Sequence, residues 1–352
     1  MRALQFETFG GSVSVADRTD PVPSVDGVVI AVESTGLCRS DWHGWQGHDS
    51  DITTLPHVPG HELAGTIAAV GPAVRAFHVG DRVTVPFVCG CGSCRYCDRG
   101  DAQVCPDQWQ PGFSGPGSFA EYVAIPRADF NLVALPENVS MDAAAALGCR
   151  FSTAYRAVAH VGAVQSGENV VVLGCGGVGL SIIMVAVARG ARVIAVDTES
   201  GALSLAELFG ADGLVNANAQ ADVTIAIRDL LPAGADVTFD ALGSIDTCRA
   251  AVESLRPGGR HVQVGLLPPA EVSDRASVPM HLVIGRELSI LGSHGMSARG
   301  YPEMLALVAE GRLDPQRLVT RTLRLDEAPI ALERIGFDPH PGVTVIHPRM
   351  SP

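Results

Sequence analysis

The sequence predicts an α/β protein in two parts: a strand-rich region over the first 150 residues, then a doubly wound parallel sheet. Length, a change of rhythm near residue 150 and one glycine-rich turn carry that expectation. At 352 residues the chain exceeds a single ordinary core, so about two domains are expected. In the first part, the runs VVIAVEST (28–35), GTIAAVG (65–71) and GDRVTVPF (80–87) are alternating or β-branched and are separated by Gly, Pro and Asp. After residue 150 strands and helices alternate. NVVVLG (169–174) leads into a helix over 178–189, followed by RVIAVD (192–197) and a helical stretch containing ALSLAELFG. DVTFDALG (236–243) and GRHVQVGL (259–266) continue the series, which implies parallel strands covered on both faces. Near residue 290 the pattern loosens; a helix-like PEMLALVAEGRL (302–313) follows, and the chain closes on the strand-like GVTVIHP.

Composition narrows the function. The net charge of −13, with Lys and Arg scattered, argues against a nucleic-acid partner. The longest apolar stretch, VGLSIIMVAVA (178–188), is too short to cross a bilayer. MRALQFETFGG lacks the apolar centre of a signal peptide, so a cytoplasmic protein with no membrane partner is expected.

The turn GCGGVG (174–179) sets Gly174, Gly176 and Gly179 in a G-x-G-x-x-G pattern, with Gly177 and Val178 completing it. It follows a strand and opens a helix, the context in which backbone N–H groups cradle a pyrophosphate. Asp197 ends the next strand, 18 residues after Gly179. A carboxylate there accepts from a ribose diol and repels a 2′-phosphate, which favours NAD over NADP.

Five of the nine cysteines fall between Cys89 and Cys105. Cys91, Cys94, Cys97 and Cys105 are spaced as four thiolates that can wrap one tetrahedral ion, the donor set of a closed structural zinc site. An iron–sulfur cluster is the competing reading of four cysteines, and Cys89 lies outside the spacing. A second set of donors is dispersed: Cys38 in LCRSDWH (37–43), His61 and Glu62 in PGHE (59–62), and Cys149 in LGCRFST (147–153).

Taken in order, Cys38, the GHE triplet, the four-cysteine lobe, Cys149 and GCGGVG resemble the zinc-dependent alcohol dehydrogenases of the medium-chain dehydrogenase/reductase superfamily, over essentially the whole chain. The resemblance implies a GroES-like, β-rich catalytic domain at 1–150 and 293–352 and a Rossmann NAD-binding domain at 151–292. It implies a catalytic zinc on Cys38, His61 and Cys149, with Glu62 beside it, and a structural zinc on the four-cysteine lobe. Asp41 matches a carboxylate that orients the ligand imidazole; Ser40 and His43 match a proton relay from the alcohol. Arg39 matches a pyrophosphate clamp, Thr153 a residue behind the nicotinamide, and Val264 and Leu266 a turn binding the carboxamide. Phe87 and Trp45 match residues lining the substrate cleft.

The implied activity is reversible hydride transfer between an alcohol, primary or aromatic favoured, and NAD. A polyol dehydrogenase on the same scaffold is the alternative, although such relatives commonly carry a carboxylate where this chain has Cys149. A catalytically silent zinc- and NAD-binding protein is a further alternative. Two departures stand out: Ala202 occupies a position where many relatives have a ribose-binding lysine, and Arg150 follows the third ligand where some have glycine. The short gap between Glu62 and Cys149 resembles tetrameric microbial forms, so a homotetramer is expected over a dimer.

Overall fold

The structure, a computed structural model, describes residues 1–267, 278–337 and 340–350. It divides into two compact units, one of Met1–Ser152 with Gly295–Pro352, the other of Thr153–His294.

The first unit is built on a seven-stranded mixed sheet. Its path runs Val319–Arg324, Val343–His347, Val28–Leu37, Glu62–Val70, Arg82–Thr84 and Val133–Ala134, with Tyr122–Ile125 also paired to Val28–Leu37. Val28–Leu37 is buried at nine of its ten positions: the apolar run Val28–Val32 packs into the core, and the polar Ser34 and Thr35 are buried as well. Val28, Ile30, Val32, Leu63, Ile67, Val83 and Val85 form a core beneath the sheet. Leu4, Phe6, Trp45, Phe113 and Phe119 pack with Leu325 and Leu332 in a second one.

Two elements here were not legible in the strand-rich reading. A hairpin pairs Arg2–Phe6 with Val13–Asp17. Helix Met141–Ala146 is N-capped by Ser140, whose hydroxyl accepts from the amide of Ala143. This helix runs on into a wide turn, Leu147–Phe151, with π-helical hydrogen bonding. One extra residue per turn shifts which amides lie free on the inner face, and such bulges recur at functional sites.

The second unit is a six-stranded, wholly parallel sheet. The strands follow the order Gly213–Asn216, Arg192–Asp197, Asn169–Leu173, Ala235–Asp240, Leu255–Gln263, Ser289–Gly292. In chain order that is 3-2-1-4-5-6, the arrangement of a dinucleotide-binding sheet. Helix Gly177–Ala188 is buried from Gly179 through Ala186, which explains why its sequence is apolar all round. Among the described residues, no helix is long and apolar enough to cross a membrane.

His347, at the end of the strand Val343–His347, meets Asp142 of the Met141–Ala146 helix, Nε2 to Oδ1 at 2.6 Å. That hydrogen bond raises the imidazole pKa above its ordinary value. For Asp142, burial pushes upward but the hydrogen bond and charge of His347 outweigh it, and its pKa is lowered. The ionic contribution is therefore present above the ordinary carboxylate range. It is complete below the unfolded histidine pKa of about 6.5 and lost as pH rises through the raised folded value. His347→Asn is expected to lower stability by about 0.5 kcal/mol at pH 5.5 and by less at pH 9, a difference that thermal melts at the two pH values will show.

Candidate active site

The antiparallel register pairs Gly36 with Glu62. It brings the end of one strand, where Cys38 follows, against the start of the other, where His61 precedes. Cys38 is extended (φ −111°, ψ 154°) and caps the short helix Arg39–Trp45, so the polar run after it is wound into one turn. Gly60 turns the chain into His61 at φ +106°; a Cβ there would fall 2.6 Å from the backbone nitrogen of Phe119. The wide turn Leu147–Phe151 delivers Cys149. Ligand atoms of Cys38, His61, Glu62 and Cys149 consequently lie within 4.8 Å of one another.

Asp41 organises the group. It is 1% exposed; its Oδ1 accepts from His61 Nδ1 at 2.8 Å and from the Gly60 amide at 3.1 Å, and its Oδ2 from the Cys38 amide at 2.9 Å. The Nδ1 contact leaves His61 Nε2 as the ring's ligand atom, and this buried nitrogen has no hydrogen-bond partner among the described residues. A buried polar nitrogen without a partner is costly unless something else satisfies it. Here two sulfurs share its pocket, the donor set that zinc prefers, so the residues fit the ion. The thiol of Cys149 hydrogen-bonds Cys38 and lowers the Cys38 pKa well below its usual value. For His61, burial pulls downward, but the charge and hydrogen bond of Asp41 hold its pKa well up. An ion that takes these donors displaces their protons.

Glu62 is fully buried and already engaged. Its Oε1 accepts from the amides of Cys149 (3.2 Å) and Arg150 (2.9 Å), and Arg150 Nε lies 3.1 Å from both oxygens. Arg150 Nη2 closes the pair on Oε2. This explains an arginine where some relatives have glycine.

Ser40 Oγ lies 3.7 Å from Cys38 Sγ. His43 is half-buried, and burial, with Arg39 and His48 nearby, lowers its pKa from the ordinary value. Its Nδ1 is 3.0 Å from Nδ1 of His48, and Trp42 packs edge-on against both rings. His48 was missed in sequence, because a histidine after QG in a polar loop carries no pattern. The rings against His61 are Phe87, at 6.1 Å between centroids, and Phe113, at 5.2 Å. Trp45 packs in one apolar core with Leu4, Phe6, Ile52 and Phe113, its Nε1 bonded to Gly11 O. Phe113, in a Gly- and Pro-rich loop, had no sequence signal.

In the cysteine lobe, ligand sulfurs of Cys91, Cys94, Cys97 and Cys105 lie within 4.8 Å of one another. Cys91 to Cys97 is 3.9 Å and Cys94 to Cys105 is 3.8 Å. A zinc–sulfur bond of about 2.3 Å gives a tetrahedron with an edge of roughly 3.8 Å, so the spacing suits zinc. The amide and hydroxyl of Ser93 bring the Cys91 thiol down to about 6. Cys89 lies in the core, and burial pushes its thiol up to about 12.

In the second unit, the carboxyl ends of the parallel strands carry the cofactor candidates. Gly174 has φ +88°, and a Cβ on Gly179 would lie 1.7 Å from Gly174 O, so both glycines are obligatory. Gly176 caps the helix that Gly177 and Val178 begin, and among the described residues no atom lies within 4 Å of where a Gly176 Cβ would be. Asp197 Oδ2 accepts from the Cys175 amide at 2.6 Å and Oδ1 from the Glu199 amide at 2.9 Å. Each oxygen keeps a second lone pair. Ala202, in the helix Ser200–Leu208 that follows, has only a methyl side chain. Thr153 is buried, the Val264 amide bonds Asp240 O at 3.0 Å, and Leu266 is 76% exposed.

Residues 24–137 match the alcohol dehydrogenase GroES-like domain family, and 177–310 match the zinc-binding dehydrogenase family. The chain is 36% identical to a probable zinc-binding alcohol dehydrogenase, Rv1895, of Mycobacterium tuberculosis, over 93% of this chain and 83% of that one. A sorbitol dehydrogenase of Halalkalibacterium halodurans is 31% identical, with 93% and 94% covered. The crystal structure of an NAD-dependent alcohol dehydrogenase superposes with a TM-score of 0.88 at 31% identity, over 99% of this chain and 100% of that one. With the donor groups and both sheets described above, these likenesses identify the chain as an oxidoreductase of the zinc-dependent alcohol dehydrogenase family in the medium-chain dehydrogenase/reductase superfamily, with a GroES-like and a Rossmann fold.

Proposed function

We propose that the protein transfers hydride reversibly between an alcohol and NAD, using one catalytic zinc held by Cys38, His61 and Cys149 and one structural zinc held by Cys91, Cys94, Cys97 and Cys105. The observation that carries this reading is His61 Nε2: buried, unpartnered, fixed as the ring's acceptor by Asp41, and gathered with two sulfurs. When bound there, zinc supplies Lewis acidity, which for water moves the pKa from about 16 to about 7.

The chain's own residues supply the rest. Asp41 holds the His61 tautomer. Ser40 Oγ, beside Cys38, receives the alcohol's proton and passes it outward. His43 has a depressed pKa and is neutral at pH 7, so it accepts; its Nδ1 faces His48, which carries the proton on to water. The amides of the Gly174–Gly179 turn would hold the pyrophosphate, and the guanidinium of Arg39 would suit a phosphate oxygen. Thr153, Val264 and Leu266 hold the nicotinamide. Asp197 takes the ribose diol on its spare lone pairs and disfavours NADP. Phe87 and Phe113 present aromatic faces beside His61, which suits alcohols with an apolar or aromatic body. The likeness to a sorbitol dehydrogenase keeps polyols as the second reading, and Cys149 in place of a carboxylate supports the first. A cytoplasmic homotetramer completes the proposal, with light scattering as its check.

Metal analysis is expected to find one zinc for each of the two donor groups, and Cys94→Ser to remove one and lower the melting temperature. A chain that binds no zinc, or that oxidises sorbitol faster than benzyl alcohol, overturns the proposal. His43→Gln is expected to retain zinc and slow oxidation roughly 10- to 100-fold at pH 6, with a smaller loss at pH 9 where solvent base substitutes. An unchanged pH–rate profile removes His43 from the relay. Asp197→Gly is expected to raise the NADP-to-NAD ratio of kcat/KM by roughly tenfold or more, as measured with both cofactors.

A further inference from the structure

We propose that Arg150 is a positioning residue that keeps Glu62 off the catalytic metal, so that the ion retains a free position for substrate. The inference rests on the zinc reading above. One carboxylate oxygen of Glu62 lies within 4.8 Å of the donor atoms of Cys38, His61 and Cys149, close enough for the carboxylate to become a fourth protein ligand. A carboxylate has about four lone-pair sites, and those of Glu62 are taken by Arg150 Nε, Arg150 Nη2 and the amides of residues 149 and 150. The guanidinium and the ion thus compete for one anion, and the guanidinium holds it with the greater number of directed bonds.

The surroundings are shaped for this pair. A Cβ at Gly36 would fall 2.2 Å from Glu62 Oε2 and 3.0 Å from Arg150 Nη2. One at Gly148 would fall 2.7 Å from the Glu62 Cα. The wide turn Leu147–Phe151 aims two consecutive amides at the same oxygen, so the clamp is built into the segment that delivers the ligand Cys149. Two thiolates, the carboxylates of Glu62 and Asp41, a guanidinium and a divalent ion leave a single net negative charge in a buried pocket. Without the guanidinium that excess doubles, and the Glu62 carboxylate moves to the nearest cation, the metal.

The test compares cobalt(II)-substituted wild type, Arg150→Met, Arg150→Lys and Arg150→Met/Glu62→Gln. Cobalt reports coordination number through its visible bands, which weaken several-fold from four to five ligands. The four-cysteine site is common to all four proteins and cancels in difference spectra. Arg150→Met is expected to weaken the bands, release metal to a chelator several-fold more slowly and lose at least tenfold in kcat. Arg150→Met/Glu62→Gln, which removes the competing carboxylate, is expected to restore the bands and the release rate, a recovery that a purely structural role for Arg150 does not produce. Should Arg150→Met fail to fold, Arg150→Lys carries the test, with bands between wild type and five-coordinate. Normal metal loading with unmoved bands and release in these variants, or no restoration in the double variant, overturns the clamp alone. A wild type that loads no metal at Cys38, His61 and Cys149 overturns the zinc reading and the clamp with it.

Discussion

A single buried carboxylate, that of Asp41, ties together two segments that the chain supplies separately: its own, through the Cys38 amide, and the Gly60–His61 turn, through the Gly60 amide and the His61 ring. Buried ionised groups are tolerated only when their lone pairs are filled, and Asp41 fills its own with these donors. The same bonds orient the imidazole, so the cost of burying the charge and the positioning of the ligand atom are met by one arrangement. Removing it would loosen the strand end, the helix start and the metal donor at once.

The donor group follows from strand register more than from local sequence. Pairing of Gly36 with Glu62 sets Cys38 beside His61. A register slip of one residue would send every side chain of the strand to the opposite face. The Glu62–Arg150 ion pair lies against the same pairing and joins it to the turn bearing Cys149. Charge compensation, register and ligand delivery are therefore coupled within a few residues of the metal donors, and the glycines at 36, 60 and 148 mark where backbone and charged groups approach too closely for a side chain.

Much of this was legible before folding. The GCGGVG turn, the four-cysteine spacing and the alternating strands and helices of residues 169–266 are local patterns, and the structure forms strands at Asn169–Leu173, Arg192–Asp197 and Ala235–Asp240. Helix Met141–Ala146 and the N-terminal hairpin were not legible. The first is an alanine run whose burial depends on the sheet it packs against; the second pairs two short strands with little alternation. Phe113 and His48 sit in polar or glycine-rich loops, where residue type says nothing about neighbours. Trp45, which the resemblance assigns to the cleft wall, packs among apolar neighbours that its local sequence does not reveal.

By itself the sequence determined the alternating strands and helices of the second unit, the glycine- and cysteine-rich motifs and the family, because each depends on spacing along the chain that backbone geometry converts directly into shape. Only the tertiary structure decided that His61 Nε2 is left without a partner, that Arg150 occupies Glu62, and that Phe113 and not Trp45 flanks the ring. Those facts depend on groups separated by tens of residues meeting at bonding distance in a dry interior. Burial and register, which no single segment encodes, set that distance.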